Sequence, residues 1–192
     1  MKGSDFFVPA LCILAISTCA AYLMKRTEEQ GEISFIKYQS YIYATNELSF
    51  HTNGTPLSYA MLSEAANEIE VTDPFLLIVL PANGCRSCEE MLLEELGRFF
   101  PNYRNDPHIV FAPLGFHLTT PDFGNTISQF DSVWFKGLFP SQEPSLSLFV
   151  CQNKSIQNAF IPNANYRDDL RHYLKLFQEL SINLEASTCH QE

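Results

Sequence analysis

The chain predicts an α/β domain behind an apolar N-terminal helix, and three observations carry that expectation. Residues 75–80, Phe-Leu-Leu-Ile-Val-Leu, form an unbroken apolar run, the signature of a strand buried on both faces. A good helix-forming stretch over residues 89–100 follows almost at once, and further strands and helices alternate to residue 180. Residues 6–24 are apolar throughout apart from Ser17 and Thr18.

The 192 residues suffice for one domain with an anchor and a stalk. At 46% hydrophobic and 13% aromatic residues, the chain can build a core and is not of disordered composition. Its net charge of -10 disfavours nucleic acid and anionic membrane surfaces as partners, and no basic cluster exceeds Lys25-Arg26.

Along the chain, residues 6–24 would span about 28 Å as a helix, close to the thickness of a bilayer core. Pro9 lies near the helix entry, where it is tolerated. This reads as a transmembrane anchor or a signal segment. The run Ile16-Ser17-Thr18-Cys19 loosely resembles a bacterial lipoprotein cleavage box, which leaves lipidation as a third form. Lys25-Arg26 after the segment favours a cytoplasmic domain. The paired cysteines Cys85 and Cys88 suit an oxidising compartment, and we expect the domain outside the cytoplasm.

Residues 26–45 read as a stalk, with residues 33–43 open to helix or strand. Residues 47–51 read as a strand ended by the Asn53-Gly54 turn signal. Residues 56–69 read as a helix with Leu57, Met61, Ala65 and Ile69 on one face. After the 75–80 strand and the next helix, Pro101 forces an exit and residues 108–114 form another strand. Residues 125–138 read as helix, residues 145–151 as a strand with a Leu146/Leu148/Val150 face, and residues 155–161 as its hairpin partner. An amphipathic helix over 167–180 closes the fold, with Leu170, Leu174, Phe177 and Leu180 in register. The expected organisation is thus an anchor at 1–25, a stalk at 26–45, a domain at 46–181 and a polar tail at 182–192.

Of the six cysteines, Cys85 and Cys88 stand at the strand-to-helix junction as Cys-Arg-Ser-Cys. A CxxC between a buried strand and a helix is the layout of a redox-active dithiol. Without a second CxxC, structural zinc is disfavoured, Cys189-His190 being poorly placed to chelate one ion. Cys151 reads as a buried apolar residue. The five histidines are scattered without ligand or triad spacing, His117 among them. No cofactor or metal is called for.

With Pro144 immediately before the 146–150 strand, the order of elements and the CxxC resemble the thioredoxin superfamily over residues 46–181. The anchor, and the extra residues between Cys88 and Pro144, make the chain most similar to membrane-anchored, TlpA-like thiol–disulfide oxidoreductases of bacterial envelopes. The resemblance implies a central mixed sheet flanked by helices, with Pro144 as a cis-proline against the dithiol. It implies attack by Cys85, resolution by Cys88, and substrate pairing along the backbone at Glu143 and Pro144. Arg86 would add a cation beside the Cys85 thiolate, opposed by Glu89 and Glu90. The implied compartment is a bacterial periplasm or envelope, and the implied partner is a disulfide- or thiol-containing envelope protein. The opposition of Glu89, Glu90 and Glu143 to Arg86 around Cys85 leads us to expect an intermediate reduction potential. The chain departs from the family pattern at Gly84, where Trp is usual, and at Val79, where a buried acid is common. Glu143 stands where small or β-branched residues are common. These departures keep a second reading open: a thioredoxin-fold interaction module that holds a partner without turnover.

Overall fold

A computed structural model describes residues 7–57, 71–114, 123–127, 137–138 and 145–188, with the side chains of 7–21 and 184–188 outside that description. The chain forms two compact units, Met1–Tyr43 and Ala44–Glu192. The described elements are three helices and a four-stranded mixed sheet: α1 (Phe7–Thr52), β1 (Phe75–Pro81), α2 (Arg86–Phe99), β2 (Ile109–Leu114), β3 (Ser147–Gln152), β4 (Ser155–Phe160) and α3 (Arg167–Thr188).

Helix α1 settles the open choice over residues 33–43 as helix and overturns the strand expected at residues 47–51. Those five residues are the last turns of α1. A strand would bury Leu48 and Phe50 on one face. Instead Leu48 is buried, Phe50 is 83% exposed, and the hydroxyl of buried Thr52, one turn on, donates to the Leu48 carbonyl at 2.8 Å. Asn53-Gly54 does end the element, but a helical one: Asn53 N–H bonds Ser49 O, and Gly54 takes φ +76°, the left-handed stop of a helix C-terminus. Among the described residues no helix is long and apolar enough to cross a membrane. The anchor segment lies almost wholly where side chains are outside the description.

The strand order is β2-β1-β3-β4. Strand β1 pairs parallel with β2 (Leu77 beside Val110, Val79 beside Ala112) and antiparallel with β3 (Ile78 beside Leu148, Val79 beside Ser147). Every residue of β1 is buried, which is why its sequence is continuously apolar rather than alternating. One face of the sheet packs Leu77, Val79, Val110, Ala112, Phe149 and Cys151 in a core with Leu48, Leu57 and Ile127. On the opposite face Phe111 stacks on Phe123 at 5.1 Å, and Phe160 of β4 stacks on Tyr173 of α3 at 4.8 Å. Phe100, just after α2, meets Phe177 of α3 at 5.8 Å. Helices α2 and α3 thus share one side of the sheet.

Two helix expectations are corrected at their starts. Asn125–Ile127 is not helical: Phe111 N–H bonds Asn125 O and Ile127 N–H bonds Phe111 O, each at 2.8 Å, so the segment docks on the open edge of β2. Gly124 permits this, because a Cβ there would sit 1.8 Å from the Arg104 carbonyl oxygen. Gly137 and Leu138 are helical, and residues 128–136 lie outside the described set. Likewise Pro56 bridges Ser155 and Leu57 N–H bonds Lys154 O at 2.9 Å, so both run beside the β3–β4 hairpin; residues 58–70 lie outside the description. His117 and Cys189 also lie outside it.

The hairpin turns at Asn153 (φ 52°) and Lys154 (φ 61°), the pair of positive φ values of a type I′ turn. The Asn153 N–H donates to Asp73 Oδ2 at 2.8 Å, tying the turn to the start of β1. Asn tolerates this backbone, whereas Lys pays for its Cβ. Lys154→Gly should therefore stabilise the fold by about 0.5–1 kcal/mol in denaturant unfolding. No gain would show the turn to be unstrained.

Candidate functional site

Strand β1 ends at Pro81, and the Gly84 N–H returns to the Pro81 carbonyl at 3.1 Å. This tight turn delivers Cys85 to the N-cap of α2 in an extended conformation (φ -72°, ψ 102°). Its carbonyl accepts the N–H groups of Cys88 at 2.9 Å and Glu89 at 3.0 Å, starting the helix. Helix α2 buries Cys88, Met91, Leu92, Glu95 and Leu96, the i, i+3, i+4, i+7, i+8 face.

The two sequence-predicted cysteines are brought together and joined as a disulfide, with Cα atoms 5.2 Å apart. They differ in access: Cys85 is exposed and Cys88 is 8% exposed. The Cys85 sulfur accepts the Cys88 N–H at 3.3 Å and lies 3.2 Å from the Ser87 hydroxyl. A disulfide sulfur can only accept, so Ser87 donates. After reduction the same two donors and the helix N-terminus favour negative charge on Cys85.

Arg86 is 90% exposed in its side chain, and its Nε lies 3.0 Å from Glu90 Oε1. Its charge is thus shared with that carboxylate along the outer surface of α2. Val79 is fully buried in the apolar core, opposite Ser147. Glu143 and Pro144 lie outside the described residues. The register does set the start of β3 beside the end of β1 that carries the dithiol.

Beneath α2 lies a feature that sequence reading missed. The Glu95 side chain is fully buried, yet Arg171 grips it twice, Nε to Oε2 at 3.0 Å and Nη2 to Oε1 at 3.1 Å. Arg98 and Arg167 approach Oε1 at 3.2 and 3.4 Å. The signal was available: Glu95 is i+7 from Cys88 on the buried face, and Arg167 and Arg171 are one turn apart on α3. The hydrogen bond that Arg171 donates to Glu95 is the main cause that raises the Arg171 pKa. A hydrogen bond from Arg167, with the Arg167 and Arg98 charges, holds Glu94 below the free value of 4.5. A depressed carboxylate stabilises the fold above that value and loses the contribution as pH falls through its folded pKa. Unfolding measured across the acid range should therefore show stability falling below about pH 4.5, with a shallower fall in Arg167→Ala. An unchanged profile in that variant would remove Glu94 from the account.

Cys151 is fully buried, and desolvation pushes its thiol pKa far up, so it packs as an inert apolar group. Among the described residues no group of three or more His, Cys, Asp or Glu side chains could hold a metal ion.

Comparisons with protein-family models, with curated proteins and with solved structures returned no match.

Proposed function

We propose that the chain is a membrane-tethered thiol–disulfide oxidoreductase of thioredoxin-like fold, exchanging disulfides with envelope proteins through Cys85 and Cys88. The observation that carries this reading is the asymmetric pair at the start of α2: an exposed sulfur at the N-cap, bonded to a buried one on the next turn. The mixed sheet with its parallel β1–β2 pair, closing hairpin and last helix supports the fold half of the reading. In it, Glu143 and Pro144 line the substrate groove, and residues 1–25 hold the domain at the membrane outside the cytoplasm.

In the reducing direction the Cys85 thiolate attacks one sulfur of a substrate disulfide. That S–S bond breaks, the first substrate thiolate leaves and is protonated from water, and a mixed disulfide forms. Cys88 then loses its proton and attacks the Cys85 sulfur. The second substrate thiolate is released, and the Cys85–Cys88 disulfide forms. The substrate gains two electrons and two protons, and an external dithiol restores the protein. Exposure suits Cys85 to the first step. Burial suits Cys88 to the second, because it keeps the resolving thiol from competing substrates.

Buried Val79 and glycine at 84 favour the second reading, a binding module without turnover, since neither supplies the proton acceptor or ring usual in the family. Reduction of a disulfide-bonded protein with dithiothreitol as electron donor separates the two. The enzyme reading expects turnover that Cys85→Ser abolishes; wild-type activity no greater than that variant's leaves the binding module.

A further inference from the structure

We propose that Glu89, seated over Gly84, is the group that restrains the reactivity of Cys85. This rests on the dithiol reading above and singles out Glu89, rather than Glu90, as the acid that acts on Cys85, because Glu90 is paired with Arg86. A Cβ on Gly84 would lie 2.5 Å from Glu89 Oε1, 3.2 Å from the Pro81 carbonyl oxygen and 3.3 Å from Pro81 Cγ. The Glu89 carboxylate therefore fills the space over the residue immediately before Cys85. Pro81 closes the other side, held by its hydrogen bond from Gly84 N–H at 3.1 Å. Only glycine admits the carboxylate here, because any side chain at 84 must expel it or push the end of β1. Glycine in place of a bulky aromatic is thus a seat for an acid.

Among the described residues, no neighbour neutralises the charge placed there. Glu89 is part-buried and one turn beyond Cys85, with its own N–H on the Cys85 carbonyl at 3.0 Å. The other charges of the first turn, Arg86 and Glu90, pair with each other at 3.0 Å on the exposed surface. Pro81, Ala82 and Asn83 on the facing side of the turn carry no charge. Among the described residues no cation forms an ion pair with Glu89. A carboxylate beside Cys85 opposes the thiolate that the Cys88 N–H and the Ser87 hydroxyl favour. It makes the reduced form less stable and the pair less oxidising than its helix-end position alone would give.

The test is the equilibrium of the full-length protein with a glutathione buffer at neutral pH, the fraction of Cys85–Cys88 disulfide being read by thiol labelling and mass. For a unit charge roughly one helical turn away, on the order of 7 Å, at an effective dielectric of about 40–80, the effect is about three- to sevenfold in such an equilibrium. Glu89→Gln is expected to move the pair toward its reduced form by that factor, which is about 14–25 mV for a two-electron couple. Gly84→Ala, by displacing the carboxylate, should move it the same way. The double variant should then shift no further than the larger single one, because both changes remove one interaction. Thermal unfolding of each variant checks that the fold is kept, and Glu89→Gln decides the matter if Gly84→Ala does not fold. An unchanged or opposite shift in Glu89→Gln, or two shifts that add in the double variant, overturns the role of Glu89. If wild-type turnover is then intact, the dithiol reading survives. A pair that no thiol buffer reduces overturns both.

Discussion

Cys88→Ser should turn the protein into a trap. Mixed with a disulfide-bonded protein, it is expected to accumulate as a covalent complex through Cys85, while Cys85→Ser forms none. The size of the effect follows from geometry. In the wild type the resolving sulfur sits one helical turn from Cys85, already bonded to it in the oxidised form. Well-oriented intramolecular groups act with effective molarities of about 10⁵ M and above, so removing the resolving thiol should lengthen the lifetime of the mixed disulfide by at least about 10³-fold. Non-reducing electrophoresis with peptide mapping checks it. A complex linked through any other cysteine, or equal trapping by both variants, would reverse or remove the assigned roles.

The second large effect is on stability. Glu95→Ala deletes a fully buried carboxylate gripped from both α2 and α3 by Arg98, Arg167 and Arg171. Breaking a buried ion pair typically costs about 3–5 kcal/mol. Here the three arginine side chains remain 37–51% exposed and can rehydrate, which lowers the expected cost to about 2–4 kcal/mol, cavity included. For a chain of this size that is a fall in Tm of about 5–15 °C. Glu95→Leu, which fills the space without the charge, should cost clearly less than Ala. A Glu95→Ala variant within about 0.5 kcal/mol of wild type would show that the guanidinium cluster contributes nothing net. Because Glu95 shares its helix face with Cys88, the link also holds the dithiol helix on the last helix of the fold.

What was legible in the sequence was what burial alone dictates. The run at 75–80 reads as a doubly covered strand, and α3 shows its period plainly, whereas β3 is buried almost throughout and β4 does not alternate. Residues 47–51 failed because a five-residue Glu-Leu-Ser-Phe-His window alternates well enough for a strand yet also fits a helix. Only the packing of Leu48 and the free exposure of Phe50 decide it. The segment from Asn125 failed for a tertiary reason: the open edge of β2 captures it, and local propensity yields.

At the site, spacing was enough to find Cys85 and Cys88, since it places both on one face of a helix start. The Ser87 hydroxyl and the Glu89 carboxylate could not be placed, because their contacts depend on rotamers and on the turn that folds Gly84 onto Pro81. Gly84 was visible only as a missing aromatic, and its use as space for an acid appears once the backbone is closed.

The proposed function requires the Cys85–Cys88 disulfide to be a working redox couple and not a structural staple. A redox titration of the full-length protein tests it most directly. A single reversible two-electron transition is expected, absent in Cys85→Ser. Its midpoint should lie between the roughly -270 mV of reducing dithiols and the roughly -120 mV of the strongest dithiol oxidants. A pair that stays oxidised below about -300 mV, as structural disulfides do, would contradict it.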